Sequence, residues 1–251
     1  MIYLKKGSRM KISIIIPAYN EASRIKGTLQ KYHTFFSNPV VADKIAAHFF
    51  VIPNGCTDNT SAIVECLIPQ LPNVSCHPIM QKGKGRAIKE GFIIALQQES
   101  DFIGFVDADG ATSPEAFYDL LYDIDIYDGV IASRYMPGSY IYPPRPFIKR
   151  WGSKLIYEPL ARAVLGLSYY DFQCGAKVFK KHAIERIAPL LTIEQWAFDA
   201  ELLHLCKRFN FIIKEMPTVW YDQDNSKLKI KSGFRMLSAI FSIKEKHKNI
   251  S

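Results

Sequence analysis

Cysteine is scarce in this sequence, and it does not occur in the spacing that binds metals. The chain of 251 residues has five cysteines and no CxxC pair. An odd set without such spacing argues against a disulfide scaffold and against a structural zinc site. The six histidines show no metal-ligand spacing either. We therefore expect a reducing compartment, the cytoplasm.

Long hydrophobic runs are also missing. The apolar stretch "ISIII" has five residues and stops at Pro17. A membrane span needs about 18 consecutive apolar residues, and a signal peptide needs an apolar segment behind its charged start. The sequence therefore predicts a protein that does not cross a membrane. Peripheral contact with the cytoplasmic membrane face stays open.

The charge balance favours an anionic partner. The formal net charge is +8, while 48% of residues are hydrophobic, as in a packed globular domain. A nucleic-acid-binding protein would carry basic residues interleaved with aromatic residues on one surface, but the charges here are scattered along the chain, so we expect no nucleic-acid partner. The P-loop pattern GxxxxGK[ST] is absent, which excludes that phosphate-binding loop.

Short apolar runs alternate with segments of helical periodicity. This order predicts an α/β fold, a Rossmann-like mixed and mostly parallel sheet with helices on both faces. We expect one domain over residues 10–251, with a nucleotide-binding half at 10–135 and an acceptor-binding half at 136–251. The predicted strands are 12–16, 48–52 and 102–106, and the predicted helices are 21–36, 57–68 and 83–97.

Polar clusters follow each of the three predicted strands. They read "PAYNE" after the first, "PNGCTD" after the second and "DADG" after the third. Ligands of such sheets bind beyond the carboxyl ends of the strands, so these clusters should meet in one crevice.

Asp107 and Asp109 stand one residue apart at a strand tip. Two such carboxylates repel each other, and a divalent cation with a substrate diphosphate would supply the missing positive charge. The alternative is structural: Asp107 would cap a turn, and Asp109 would cap a helix that begins near Ser113. The residues alone leave both interpretations open.

The segment "QKGKGRAIKEGF" places Gly83, Lys84, Gly85 and Arg86 before a predicted helix. Glycines let backbone N–H groups approach an anion, and a helix N-terminus favours negative charge. A solvated basic turn is the alternative interpretation.

Taken in order, "IIPAYNE", "NGCTDNT", "KGKGRAIKEGF", "DADGAT" and "SRY" resemble the family-2 inverting glycosyltransferases, which have the GT-A fold. Further along, "DFQCGAKVF", "WAFDAELL" and "DNSKL" are similar to polyprenyl-phosphate sugar transferases, most of all the dolichyl-phosphate glucosyltransferases. The resemblance implies an enzyme that uses a nucleotide-diphosphate sugar together with Mg²⁺ or Mn²⁺.

The resemblance also implies roles for single residues. Asp109 would hold the metal, Arg134 and Arg150 would face an acceptor phosphate, and Asp199 falls where many members carry a catalytic base. Arg134 is also a candidate catalytic residue. The residues implied in nucleotide-sugar binding are Pro17, Tyr19, Glu21, Asn54, Lys84, Asp107, Ala108, Asp109 and Lys227.

Two departures from the family pattern bear on the donor. Pro53 and Asn54 replace the usual acidic pair after the second strand, so the donor base is open. Ala111 replaces a glutamine of the mannose-synthase-like members, which favours glucose, and hence UDP-glucose, over mannose.

The acceptor, the position of residues 147–167 and catalysis itself each remain open to more than one interpretation. A saccharide hydroxyl needs a base such as Asp199, whereas a polyprenyl phosphate is already ionised and needs cations. The stretch 147–167 could lie on a membrane through Trp151 and Tyr157, or it could pack on the sheet. A catalytically silent nucleotide-sugar-binding scaffold is the alternative from another class.

Overall fold

A seven-stranded sheet forms the centre of the molecule. The computed structural model describes residues 9–144, 157–223 and 230–250, with only the backbone at 230–235. Its strands are β1 Met10–Ala18, β2 Ile45–Pro53, β3 Val74–Cys76, β4 Phe102–Val106, β5 Gly129–Ser133, β6 Tyr140–Tyr142, β7 Ala176–Lys180, β8 Ile213–Pro217 and β9 Val219–Tyr221.

The strand order in the large sheet is β3-β2-β1-β4-β7-β5-β8. Neighbouring strands are parallel except at β7, which runs antiparallel between β4 and β5. The sheet therefore takes strands from both sides of residue 135. β6 and β9 pair in parallel as a separate two-stranded ribbon.

The helices begin and end close to where the sequence predicts them. The first predicted helix buries Ile25, Leu29 and Tyr32 on one face. The second predicted helix begins at Thr60, whose backbone N–H donates to the Asp58 carboxylate. The helices in the described residues are α1 Ile25–Phe36, α2 Pro39–Ala42, α3 Thr60–Leu67, α4 Lys84–Leu96, α5 Pro114–Asp119, α6 Glu158–Leu165, α7 Lys181–Ile187, α8 Phe198–Arg208 and α9 Ile230–Lys246.

Both faces of the sheet are covered. Side chains alternate along β1, so that Ile14 and Ile16 join one apolar core and Ile15 joins the other. The second core also contains Tyr157, which precedes α6, and Leu165, the last residue of α6. The described end of the proposed membrane segment therefore packs in the protein, while residues 145–156 lie outside the described residues.

None of the helices in the described ranges is both long and apolar enough to span a membrane.

Candidate active site at the carboxyl edge of the sheet

The three polar clusters lie together, as predicted. β2, β1 and β4 are neighbouring parallel strands, so their carboxyl ends share one edge. The backbone N–H of Asn54 donates to the Ala18 carbonyl (2.9 Å), which joins the ends of β1 and β2. The Thr28 hydroxyl donates to the Ala108 carbonyl (2.9 Å), which ties α1 to the "DADG" turn.

Asp107 forms an ion pair with Lys84 at the start of α4, with 2.7 Å between Nζ and Oδ1. Burial lowers the pKa of Lys84, but the carboxylates of Asp107 and Asp199 raise it above its ordinary value. Asp107 lies directly against Gly175, where a Cβ atom would overlap the carboxylate. The glycine of "DFQCG" therefore makes room for Asp107.

Among the described residues, Asp109 forms no ion pair comparable to that of Asp107 with Lys84. Burial, and next the charge of Asp107, raises the pKa of Asp109 to about 6. Within the described residues, its Oδ1 accepts a hydrogen bond from the local N–H of Ala111 (3.0 Å). The alternative in which Asp109 caps a helix is wrong, because the Ser113 hydroxyl accepts the Ala116 N–H and caps α5.

The donor atoms at this tip fit a hard divalent cation. Carboxylate oxygens are the preferred ligands of Mg²⁺, which commonly binds one or two carboxylates and completes its shell with substrate phosphates and water. In the described part of the chain, no group of three or more His, Cys, Asp or Glu side chains could hold a metal ion. A cation at Asp107 and Asp109 would thus need oxygens from a ligand.

The glycines at the start of α4 pack closely against another segment, while the predicted approach of an anion to their backbone N–H groups stays a prediction. A Cβ atom on Gly83 or Gly85 would overlap backbone carbonyls of residues 193–194. The N–H of Gly83 donates to Asn54 Oδ1 (3.1 Å), so the turn is held from both sides. Both glycines serve close packing of the backbone that places Lys84.

Several residues that the resemblance implies in nucleotide-sugar binding make internal contacts. Asn54 is 2% exposed, and its Nδ2 donates to the Ala18 carbonyl (2.9 Å) while its Oδ1 accepts from Gly83. Glu21 accepts a hydrogen bond from Arg24 (2.8 Å). Pro17 is buried in β1. Contacts of these residues with a nucleotide remain predictions.

Lys82 was not singled out from the sequence, yet it contacts Tyr19, one of the residues implied in nucleotide-sugar binding. Its ammonium lies 3.7 Å from the centre of the Tyr19 ring, where the cation is attracted by the π-face. Lys82 stands in "QKGKG" two residues before Lys84, and a second lysine in a glycine-rich turn was the available signal.

Asp199 lies in α8 and pairs with Lys177 of β7, with 2.6 Å between Nζ and Oδ1. The ammonium is fully buried, and Asp199 is 2% exposed. Asp199 and Glu201 are both buried, so neither carboxylate is solvated. Lys177 was missed, although a lysine inside the apolar strand "AKVF" indicates a buried partner.

Arg134 forms a two-pronged pair with Asp171. The Nε–Oδ2 distance is 2.7 Å and the Nη2–Oδ1 distance is 2.9 Å. The guanidinium also lies over the Trp220 ring, 5.0 Å from its centre. Asp171 is fully buried, so this pair is internal to the fold. The predicted acceptor and catalytic roles of Arg134 remain predictions. Arg150 and Lys227 lie outside the described residues.

The model of the family described as "Glycosyl transferase family 2" matches residues 13–188. The chain belongs to glycosyl transferase family 2. A dolichyl-phosphate beta-glucosyltransferase of Dictyostelium discoideum is 30% identical over 93% of this chain and 77% of the relative. The Saccharomyces cerevisiae protein of the same name is 29% identical over 87% of this chain and 69% of the relative.

Solved structures confirm the GT-A fold of this family 2 glycosyltransferase. Glucosyl-3-phosphoglycerate synthase from Mycobacterium tuberculosis, in complex with Mn²⁺, UDP and glucosyl-3-phosphoglycerate, has a TM-score of 0.65 and 17% identity over 96% of this chain and 81% of its own. A mannosyltransferase from Pyrobaculum calidifontis, in complex with GDP-Man and Mn²⁺, has a TM-score of 0.61 and 16% identity over 95% of this chain and 63% of its own.

Proposed function

We propose that this glycosyltransferase moves glucose from UDP-glucose to a polyprenyl phosphate such as dolichyl phosphate, with inversion at the anomeric carbon. The names of the two relatives support the sugar and the lipid phosphate. The single structural observation that carries the choice of acceptor is the ion pair between Lys177 and Asp199.

That ion pair is poorly suited to a hydroxyl acceptor. A sugar hydroxyl must give up its proton to a base, but protonated Asp199 would leave the Lys177 ammonium buried without its partner. A lipid phosphate is already ionised near neutral pH and needs no base. The alternative acceptor, a saccharide hydroxyl, would require Asp199 to be released from Lys177.

Asp109, with Asp107 beside it, would hold Mg²⁺ or Mn²⁺. When bound, the cation supplies positive charge to the leaving diphosphate. Lys84 adds a second positive charge at the same edge, because its ammonium reaches Asp107. The proposed donor site therefore combines carboxylates that hold a metal with a lysine that is fixed by the fold.

Thermal unfolding with nucleotides tests the donor site. UDP, GDP and their glucose and mannose derivatives would each be added with and without Mn²⁺. A ligand at 100 times its Kd should stabilise the protein by about 2.7 kcal/mol. We expect a manganese-dependent shift with UDP that is lost in Asp109→Asn and kept in Asp119→Asn, a matched change at an exposed position. No shift with any nucleotide would favour the silent scaffold.

Transfer assays test the acceptor. Labelled UDP-glucose would be offered with dolichyl phosphate, with bacterial polyprenyl phosphate or with free saccharides. We expect transfer only to the lipid phosphates. Transfer to a saccharide hydroxyl alone would instead support the alternative acceptor.

A lipid acceptor also requires contact with a membrane surface, and the β6–β9 ribbon supports this part of the proposal. Tyr140, Tyr142 and Tyr221 are 70%, 67% and 44% exposed, and Trp220 between them is buried under Arg134. Tyrosines commonly lie at membrane interfaces. Tyr140→Ser with Tyr142→Ser should weaken binding to phosphatidylcholine–phosphatidylserine vesicles, whereas Tyr122→Ser should not. Equal binding of all variants would remove this support.

A further inference from the structure

Glu201 is a second buried carboxylate, and the proposed transfer reaction does not use it. It is 0% exposed in α8. Its oxygens accept hydrogen bonds from the backbone N–H groups of Thr192 (2.9 Å) and Ile193 (2.8 Å) and from the Thr192 hydroxyl (2.6 Å). The carboxylate also lies 2.8 Å from His247 Nε2. Such a set of contacts fixes the start of the segment 191–195, which we call the support loop.

The support loop is packed on the turn that carries Lys84. Its carbonyls occupy the space that Cβ atoms on Gly83 and Gly85 would fill. An ion pair between Arg86 and Glu194 adds to the contact. Three hydrogen bonds join the two segments: Lys89 Nζ to the Leu191 carbonyl (2.7 Å), Arg86 N–H to the Glu194 carbonyl (3.2 Å) and Gln195 Nε2 to the Lys82 carbonyl (3.1 Å).

Lys84 is the first residue of α4, and its ammonium lies 2.7 Å from Asp107. The turn before it is held by Asn54 on one side, through the Gly83 N–H, and by the support loop on the other. Displacement of the support loop would remove one of these two restraints. The direction of the Lys84 side chain at the donor edge would then be less fixed.

We propose that Glu201 is a positioning residue, which acts through the support loop to keep Lys84 directed at the diphosphate of the donor. The inference rests on the proposed function, since it needs a diphosphate at this edge. A glutamate suits the position because both of its oxygens accept. Glutamine has one oxygen and would turn an NH₂ group toward donors of the support loop.

Nucleotide affinity in a double-mutant cycle tests the proposal. UDP and UMP would be titrated with Mn²⁺ into wild type, Glu201→Gln, Lys84→Met and the double variant. Mutation of residues that hold metal ligands in place typically weakens metal affinity or activity by about 10- to 100-fold. We expect Glu201→Gln to weaken the affinity for UDP by about 10-fold and the affinity for UMP by less. In the Lys84→Met background the same change should have little further effect.

A purely structural Glu201 predicts a different result. It would weaken UDP by the same factor with and without Lys84, and this outcome, or an unchanged UDP affinity in Glu201→Gln, would overturn the proposal. Glu185→Gln, at an exposed position of α7, is the matched control. If Glu201→Gln does not fold, Thr192→Val removes one hydroxyl donor and keeps the backbone contacts, and it enters the same cycle. Failure of wild type to bind UDP or GDP would instead contradict the proposed function.

Discussion

Two sets of charged side chains near the active-site edge differ in how completely the protein neutralises them. Arg134 with Asp171, and Lys177 with Asp199, are internal pairs at distances of 2.6–2.9 Å. At the tip of β4, by contrast, Lys84 pairs with Asp107, while the raised pKa of Asp109 reflects burial and the neighbouring Asp107 charge. Ion pairs whose charges neutralise each other belong to the fold. A bound cation would stabilise most a carboxylate whose charge the protein leaves unneutralised.

The pKa directions show the same contrast. Burial raises the pKa of Asp171, but Arg134 lowers it more, so the net pKa lies below its ordinary value. For Asp109 burial and Asp107 act in the same direction, and the pKa rises to about 6. The surrounding protein therefore favours the charged form of Asp171 and disfavours the charged form of Asp109.

Removal of one partner from an internal pair should have the largest effect. Lys177→Met leaves Asp199 buried without its cation, and such unpairing typically costs about 3–5 kcal/mol. The double variant Lys177→Met with Asp199→Leu removes both charges and should recover most of this loss. Urea unfolding measures both. If the single and double variants were equally stable, the Lys177 and Asp199 charges would not stabilise each other within the fold.

Asp109 at the tip of β4 should make the free energy of unfolding fall as the pH rises. Without metal, the pKa of Asp109 is about 6 in the folded protein and 3.8 ordinarily, so folding favours the protonated carboxyl. Its contribution is fully present below about pH 4 and is lost as pH rises through about 6, up to about 3 kcal/mol. Asp171 acts oppositely, since its lowered pKa stabilises at higher pH.

The difference between wild type and Asp109→Asn isolates that contribution. Urea unfolding of both proteins from pH 4 to pH 8 should show wild type losing stability relative to the variant over this window. Mn²⁺ with UDP should reduce the loss at the upper end. A stability difference that stays constant from pH 4 to pH 8 would mean that the fold does not raise the pKa of Asp109.

Local sequence signals predicted the parts of the fold that depend on neighbouring residues. The apolar runs of β1, β2 and β4 are short and bounded by polar clusters, so their carboxyl ends were evident. The Ser113–Pro114 pair also carried a cap signal, since serine before proline favours a helix start. The position of β7 between β4 and β5 could not be predicted, because antiparallel insertion depends on contacts far apart in sequence.

The candidate site was predicted by residue type but not by partner. Asp107, Asp109 and Lys84 lie at one edge, since the two carboxylates follow β4 and Lys84 is the first residue of α4, while their roles there remain predictions. The pairing of Lys177 with Asp199 joins β7 to α8, and no spacing rule relates the two. The packing of residues 193–194 against Gly83 and Gly85 could not be predicted, because only the folded chain brings the two segments together.

Gly175→Ala should give the smallest of these effects and would show how the tip is kept in place. The backbone of Gly175 is not in the left-handed region, but a Cβ atom there would overlap the Asp107 carboxylate. Accommodating it should cost about 1–3 kcal/mol and displace Asp107 from Lys84. Gly27→Ala is the matched control, because no atom lies within 4 Å of its added Cβ atom, and alanine favours the helix by up to about 1 kcal/mol. Calorimetry with Mn²⁺ and UDP should then show weaker binding for Gly175→Ala alone. Unchanged binding would mean that Asp107 can move without loss, so that Asp109 carries the cation by itself.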